Sequence, residues 1–185
     1  LGIINDETER LIKLVEELLD FSRMSSNRMK LNIAEVNIEN LVSSVINQLR
    51  SMAIKKNIRL SFEFLNQDMT IIYGDKDRLR QVLINLVQNS IKFTPEEGVI
   101  SVKVDQTSNE TSICVADNGI GIDEKNIANV SKKFFQEDFH KSGSGLGLAI
   151  SEEIVKLHGG YLTINRKKNV GTQITITISN DSRKS

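Results

Sequence analysis

Two hydrophobic periods alternate along the chain. Leu11, Leu14, Val15, Leu18 and Phe21 recur at helical spacing, with Glu7, Arg10, Lys13 and Glu17 between them. This predicts one amphipathic helix over residues 4–24, about 30 Å long at 1.5 Å per residue. The polar stretch Ser25-Ser26-Asn27-Arg28 reads as a hinge, and a globular unit begins near Lys30. A short strand is expected at 33–36, a helix at 38–56 and strands at 58–65 and 70–74. Asp75 is placed to cap a helix over 76–93, whose Leu79, Val82, Leu83, Leu86 and Val87 form one stripe. Pro95 and Gly98 end that unit. Residues 99–105 and 111–117 read as a hairpin, and 123–143 as a loop. A helix follows at 145–158, stopped by Gly159-Gly160, and a last hairpin pairs 161–166 with 171–179. Runs of strands interrupted by three helices read as an α/β (α+β) layer sandwich, preceded by one long N-terminal helix. The expected division is 1–29 and 30–185.

Composition narrows the function. The 185 residues are 39% apolar and 26% charged, enough for a buried core. With 24 basic and 24 acidic side chains, net charge gives no pull toward nucleic acid. Seven Phe, two Tyr and no Trp leave few platforms for stacking single strands. The one cysteine, Cys114, sits in an apolar stretch and reads as a structural thiol of a reducing compartment. No apolar run is long enough to span a membrane. The chain starts at Leu1 inside a helical pattern, so it reads as a piece of a longer protein, with a membrane anchor expected upstream.

Three motifs carry the chemistry. On helix 76–93, Arg78, Gln81, Asn85, Asn89 and Lys92 share one side. They make either a solvated face or the wall of a nucleotide cleft. In the second reading Asn89 offers an amide oxygen to Mg2+, a hard-oxygen cation, and Lys92 meets phosphate one turn on. Asp117-Asn118-Gly119-Ile120-Gly121 follows a strand. It is either a plain turn or a carboxylate that accepts the adenine amino hydrogens, with glycines letting backbone approach the base. Gly143-Ser144-Gly145-Leu146-Gly147-Leu148 opens a helix, where backbone N–H groups can face anions, and its leucines alternate as packing anchors. It is not a Walker A loop, because no Gly-Lys-Ser/Thr follows, nor a dinucleotide fingerprint, because no first strand of a βαβ unit precedes it.

Together these motifs resemble the N box and the two glycine boxes of the sensor histidine kinase catalytic domain, within the gyrase, Hsp90, kinase and MutL ATP-binding superfamily. GDKDRLRQVLINLVQNSIKFT looks like the N box, VADNGIGI and GSGLGLAI like the glycine boxes, and Gly171-Thr172 like the terminal pair that frames adenine. The segment ETERLIKLVEELLDFSRM is similar to the second helix of the family's dimerisation and histidine-phosphotransfer hairpin. The resemblance implies a Bergerat-type ATP-binding fold, a two-layer sandwich of a mixed, mostly antiparallel sheet and three helices, with ATP and Mg2+ as ligands. Asn89 would hold the metal, with Asn85 supporting the metal–water network. Lys92 and Lys141 would meet phosphate, Asp117 would read adenine beside Gly119, Gly121 and Thr172, and Gly143, Gly145, Leu146 and Gly147 would cradle phosphate. Residues 123–144 would form the lid, with Phe134-Phe135 in its F box but Ser131 and Gln136 where Phe and Arg are usual.

It implies a protein histidine kinase whose partners are its own hairpin, a second copy in a homodimer and a response regulator receiver domain. The setting is a cytoplasmic domain of a membrane-anchored protein. The phosphoacceptor histidine belongs on a helix this chain lacks, and neither His140 nor His158 stands in its place, so this piece alone is expected not to autophosphorylate. A hydrolytic ATPase clamp is the alternative, but it needs a carboxylate where Asn85 stands. A nucleotide-binding module without kinase activity is another. A serine kinase of the anti-sigma type shares the nucleotide motifs but not the hairpin-like helix.

Overall fold

A computed structural model describes residues 30–66, 71–121, 146–167 and 170–181, together with helical positions Thr8, Leu11, Ile12, Val15, Leu18, Leu19 and Ser22. Those N-terminal positions agree with the predicted helix. Leu11, Val15 and Leu18 of its apolar stripe are exposed.

The globular part runs β1 (Ala34–Asn37), α1 (Ile38–Lys55), β2 (Arg59–Phe64), β3 (Ile71–Gly74), α2 (Lys76–Phe93), β4 (Val99–Gln106), β5 (Glu110–Asp117), α3 (Gly147–Leu157), β6 (Tyr161–Lys167) and β7 (Gly171–Ser179). Five strands form one sheet in the order β2-β4-β5-β7-β6, while β1 and β3 pair separately. Only β2–β4 is parallel; the other neighbours in the five-stranded sheet are antiparallel. A parallel pair needs a long crossover, and the segment carrying β3 and α2 supplies it. The expected mixed sandwich is thus present, with β1–β3 as a small separate ribbon.

The period-two pattern decides which sheet face meets the helices. Ile100, Val102 and Val104 of β4 are buried, as are Ile113 and Val115 of β5 and Ile174, Ile176 and Ile178 of β7. Register sets Val102 beside Val115 and Ile113 beside Ile176, so the core face is continuous. The helices answer it: α2 buries the stripe Leu79, Val82, Leu83, Leu86 and Val87, as its spacing requires.

Both predicted helix starts in this half have Asx caps. Asn37 accepts from the Asn40 N–H at 2.8 Å. Asp75 accepts from the Asp77 and Arg78 N–H groups at 3.1 Å each, and its second oxygen takes the Asn32 N–H at 2.8 Å. His158, at the end of α3, completes this junction. Its Nε2 accepts the Asp75 N–H at 3.0 Å, which leaves the proton on Nδ1 to donate to the Ile154 carbonyl at 2.8 Å. The ring is fully buried and neutral. Its role here is to join the end of α3 to the start of α2.

Burial pushes the His158 pKa below its ordinary 6.5, against opposing pulls from the Ile154 carbonyl and the Asp75 carboxylate. The unfolded chain therefore binds a proton more readily than the folded one, and stability falls as pH drops through 6.5. Thermal melts should lose midpoint between pH 7.5 and 5.5, and His158→Gln should flatten that part of the profile. An equal slope in both proteins would assign the dependence to other groups.

Candidate nucleotide-binding site

The polar side of α2 is neither solvated nor buried. Arg78, Gln81, Asn85, Asn89 and Lys92 are all half-buried. Arg78 donates to Gln81 Oε1 at 2.9 Å, and the Lys92 ammonium stands 4.9 Å from the centre of the Phe93 ring. Among the described residues, the Asn89 amide has no hydrogen-bond partner. Asn85 is already engaged: its Nδ2 donates to the Gly147 carbonyl at 3.2 Å and lies 3.4 Å from Ser151 Oγ. Ser151 Oγ also donates to that carbonyl, at 2.8 Å. The amide oxygen of Asn85 is thereby left to face other groups, while its nitrogen ties α2 to the first turn of α3.

Asp117 closes β5, and its carboxylate gathers three donors from three segments. Oδ1 accepts the Gly119 N–H at 3.0 Å and the Thr172 N–H at 3.2 Å. Oδ2 accepts the Ser90 hydroxyl at 3.0 Å. The carboxylate is therefore fixed in orientation by the turn that follows it, by β7 and by α2. The glycines around it are required by space. A Cβ on Gly119 would stand 2.6 Å from the Phe93 carbonyl oxygen and 2.9 Å from Asp117 Oδ1. One on Gly171, whose φ is +129°, would land on the Asp117 carbonyl oxygen. Gly121 takes a left-handed φ of +68° at the far end of the turn. Asn118 points its amide oxygen to the Val99 N–H at 2.8 Å, which locks the turn to the start of β4.

On the opposite wall, α3 begins at Gly147 with Leu146 as its N-cap, and no side chain caps it. Leu146 is buried, which agrees with its reading as an anchor. Gly147 lies in ordinary contact with the Asn85 amide, a Cβ there coming no closer than 3.5 Å. Lys141, Gly143 and Gly145, with the rest of the predicted lid, lie outside the described residues. The structure thus joins Asn85 on α2 to Gly147 at α3, and Asp117 at the end of β5 to Gly119 and to Thr172 on β7, while Asn89 and Lys92 lie on the same half-buried side of α2 as Asn85.

Two contributors escape motif reasoning. Ser90 looks like any small residue in a helix, and only the fold sets it against Asp117. Lys56 stands in a pair of lysines after α1, where nothing in the pattern separates it from its neighbour.

Residues 74–182 match the family of histidine kinase-, DNA gyrase B- and HSP90-like ATPases. The chain belongs to this family. Within it, several similar proteins are named as histidine kinases. The circadian input-output histidine kinase CikA of Synechococcus elongatus is 33% identical over 180 residues, covering 95% of this chain and 24% of its own length. The chain thus spans about a quarter of that relative. Full-length ShkA, solved in complex with AMPPNP, superposes with a TM-score of 0.87 at 28% identity, over 96% of this chain and 37% of ShkA. The histidine kinase ThkA, solved with the response regulator protein TrrA, gives a TM-score of 0.79 at 28% identity, over 100% of this chain and 51% of the other. The fold is that of a histidine kinase ATP-binding catalytic domain.

Ser90→Ala would leave Asp117 Oδ2 without its hydroxyl donor in a part-buried position. A loss of about 1–3 kcal/mol in unfolding free energy is expected. Chemical denaturation measures it, and a variant as stable as the parent would show that water replaces the hydroxyl.

Proposed function

We propose that this chain binds Mg2+-ATP at the junction of α2, α3 and the turn after β5. As the catalytic domain of a sensor kinase it would present the γ-phosphoryl group to a histidine on an upstream helix. A response regulator aspartate would receive the group afterwards. The observation that carries this reading is the Asp117 carboxylate. Three donors hold it at the end of β5, Gly119 keeps a Cβ away from it, and Gly171 keeps one away from the Asp117 backbone carbonyl. A carboxylate so oriented can accept from the amino group of adenine, and guanine offers an oxygen at the corresponding place.

The donor set also suits the metal. Asn89 brings a half-buried amide without a partner among the described residues, and an amide oxygen is a ligand Mg2+ accepts alongside phosphate and water. Bound Mg2+ would neutralise charge on the β- and γ-phosphates. Lys92 would add a positive charge beside them, and Lys141, Gly143, Gly145 and Gly147 would complete the phosphate side. The chain's own contribution is positioning. It would hold the base at one end and the phosphates at the other, and among the described residues α2 puts an amide, not a carboxylate, where a hydrolytic clamp activates water. Asn85 supports this last point: an amide has no basicity, and its nitrogen is committed to Gly147. A hydrolytic clamp is correspondingly disfavoured.

In the whole protein we infer a homodimer joined through the helical hairpin, with the ATP-binding domain on the cytoplasmic side of the membrane. Among the described residues no helix is long and apolar enough to cross a membrane.

Isothermal calorimetry tests the reading. ATP and ADP should bind, and Asn89→Ala should abolish most of the gain given by Mg2+. Asp117→Asn should weaken ADP about tenfold or more, because the amide turns a donor toward a donor and strands a buried group. Equal binding by Asp117→Asn would reduce Asp117 to a turn residue. The chain alone should show no phosphohistidine, whereas adding the upstream hairpin helix should produce an acid-labile, alkali-stable adduct. Steady ATP hydrolysis by the chain alone would instead favour the ATPase class.

A further inference from the structure

Lys56 caps the C-terminal end of α1 and belongs to none of the nucleotide motifs. Its backbone is fixed by a helix stop in which the Asn57 N–H meets the Ile54 carbonyl at 2.9 Å and the Ile58 N–H meets the Ala53 carbonyl at 2.9 Å. Asn57 takes the left-handed conformation, with φ of +54°, that this stop needs. From that fixed base the Lys56 ammonium reaches across to the end of α2. It donates to the carbonyls of Ile91 at 2.8 Å, Lys92 at 3.2 Å and Thr94 at 2.8 Å. Lys56 is only half-exposed, so the three bonds are partly shielded from water.

These carbonyls are among those a helix end leaves without partners, and the C-terminal end of the helix dipole favours a cation there. The ammonium has three hydrogens and meets three oxygens. What it holds is the turn on which the base-reading end of the site is built. Ser90, one turn before Thr94, donates to Asp117 Oδ2, and the Thr94 N–H closes back on the Ser90 carbonyl at 2.9 Å. Between them, the Phe93 carbonyl faces the Ile120 N–H at 3.4 Å and leaves no room for a Cβ on Gly119. Without the ammonium, three carbonyls would turn outward to water. The last turn of α2 would then loosen where it orients the carboxylate.

We propose that Lys56 is a positioning residue for nucleotide recognition: from outside the pocket, it fixes the end of α2 against the 117–121 turn and so sets the orientation of the Asp117 carboxylate. The proposal rests on the nucleotide reading above. It distinguishes the base end of the site from the metal end, because Asn89 lies before the turn that the ammonium holds.

The test uses Lys56→Met, which keeps the stem and removes the charge, and Lys56→Arg, which keeps charge and donors. ADP and GDP affinities are measured by calorimetry, with and without Mg2+, at a temperature where circular dichroism shows each variant folded. Lys56→Met should bind ADP about tenfold more weakly, the low end of what removing an orienting partner costs at a binding site. Its ADP-to-GDP preference should shrink, while the factor gained from Mg2+ stays as in the parent. Lys56→Arg should recover most of the affinity and preference. Should Lys56→Met fail to fold, Lys56→Gln takes its place in the same comparison. A purely stabilising role would lower the melting temperature and leave affinity and base preference unchanged, which would overturn the proposal. A parent chain that binds no ADP would overturn the nucleotide reading itself. A parent that binds, beside a Lys56→Met that binds equally, would overturn only the role of Lys56.

Discussion

The Asp117 carboxylate is the point on which three parts of the molecule converge. It ends the central strand of the sheet, accepts from α2 through Ser90, from its own turn through Gly119, and from β7 through Thr172. A carboxylate has lone pairs for several donors, and leaving it part-buried with fewer is costly. The positions of α2, the turn and β7 are therefore mutually dependent. A shift of any one takes a donor from the carboxylate. The same bonds that organise the fold locally also aim the group that can distinguish adenine from guanine.

Around that centre, the helices are joined end to end by a small number of polar contacts over an apolar interior. His158 and Asp75 connect the end of α3 to the start of α2. Asn85 connects the middle of α2 to the first turn of α3. Lys56 connects the end of α1 to the end of α2. The first and last use a helix terminus, where backbone groups lack intrahelical partners and a side chain can satisfy them, and the Asn85 bond adds to a first-turn carbonyl that also takes the Ser151 hydroxyl. Packing alone lets two helices slide by a ridge at modest cost; a directional bond to a terminal N–H or carbonyl does not. This is how a site made of residues from four elements keeps its geometry while one of its walls, α2, presents a half-buried polar face.

The division between helix-covered and open sheet faces has a similar logic. Buried isoleucines and valines alternate along β4, β5 and β7, and the residues between them are small or polar. One face of an antiparallel sheet can remain wet, so a two-layer sandwich needs no third layer.

Much of the local structure was legible in the sequence, because it depends on periodicity and on short-range chemistry. The stripe of α2, the Asp75 cap and both hairpins follow from spacing and residue type, and the element boundaries move by only one or two positions. The family motifs were legible for the same reason, since Asn, Asp and Gly at those offsets serve backbone-level needs. What pairs with what was not. The parallel partnership of β2 with β4, the separate β1–β3 ribbon, and the meeting of Ser90 with Asp117 across 27 positions are long-range events. Lys56 shows the limit most plainly. Lys55 and Lys56 are chemically the same, and only the stop after α1 decides which ammonium faces α2. Spacing along a chain determines which residues share a helix face or a strand face. Which faces and ends then meet is decided by the collective burial of the core, and that is a property of the tertiary structure alone.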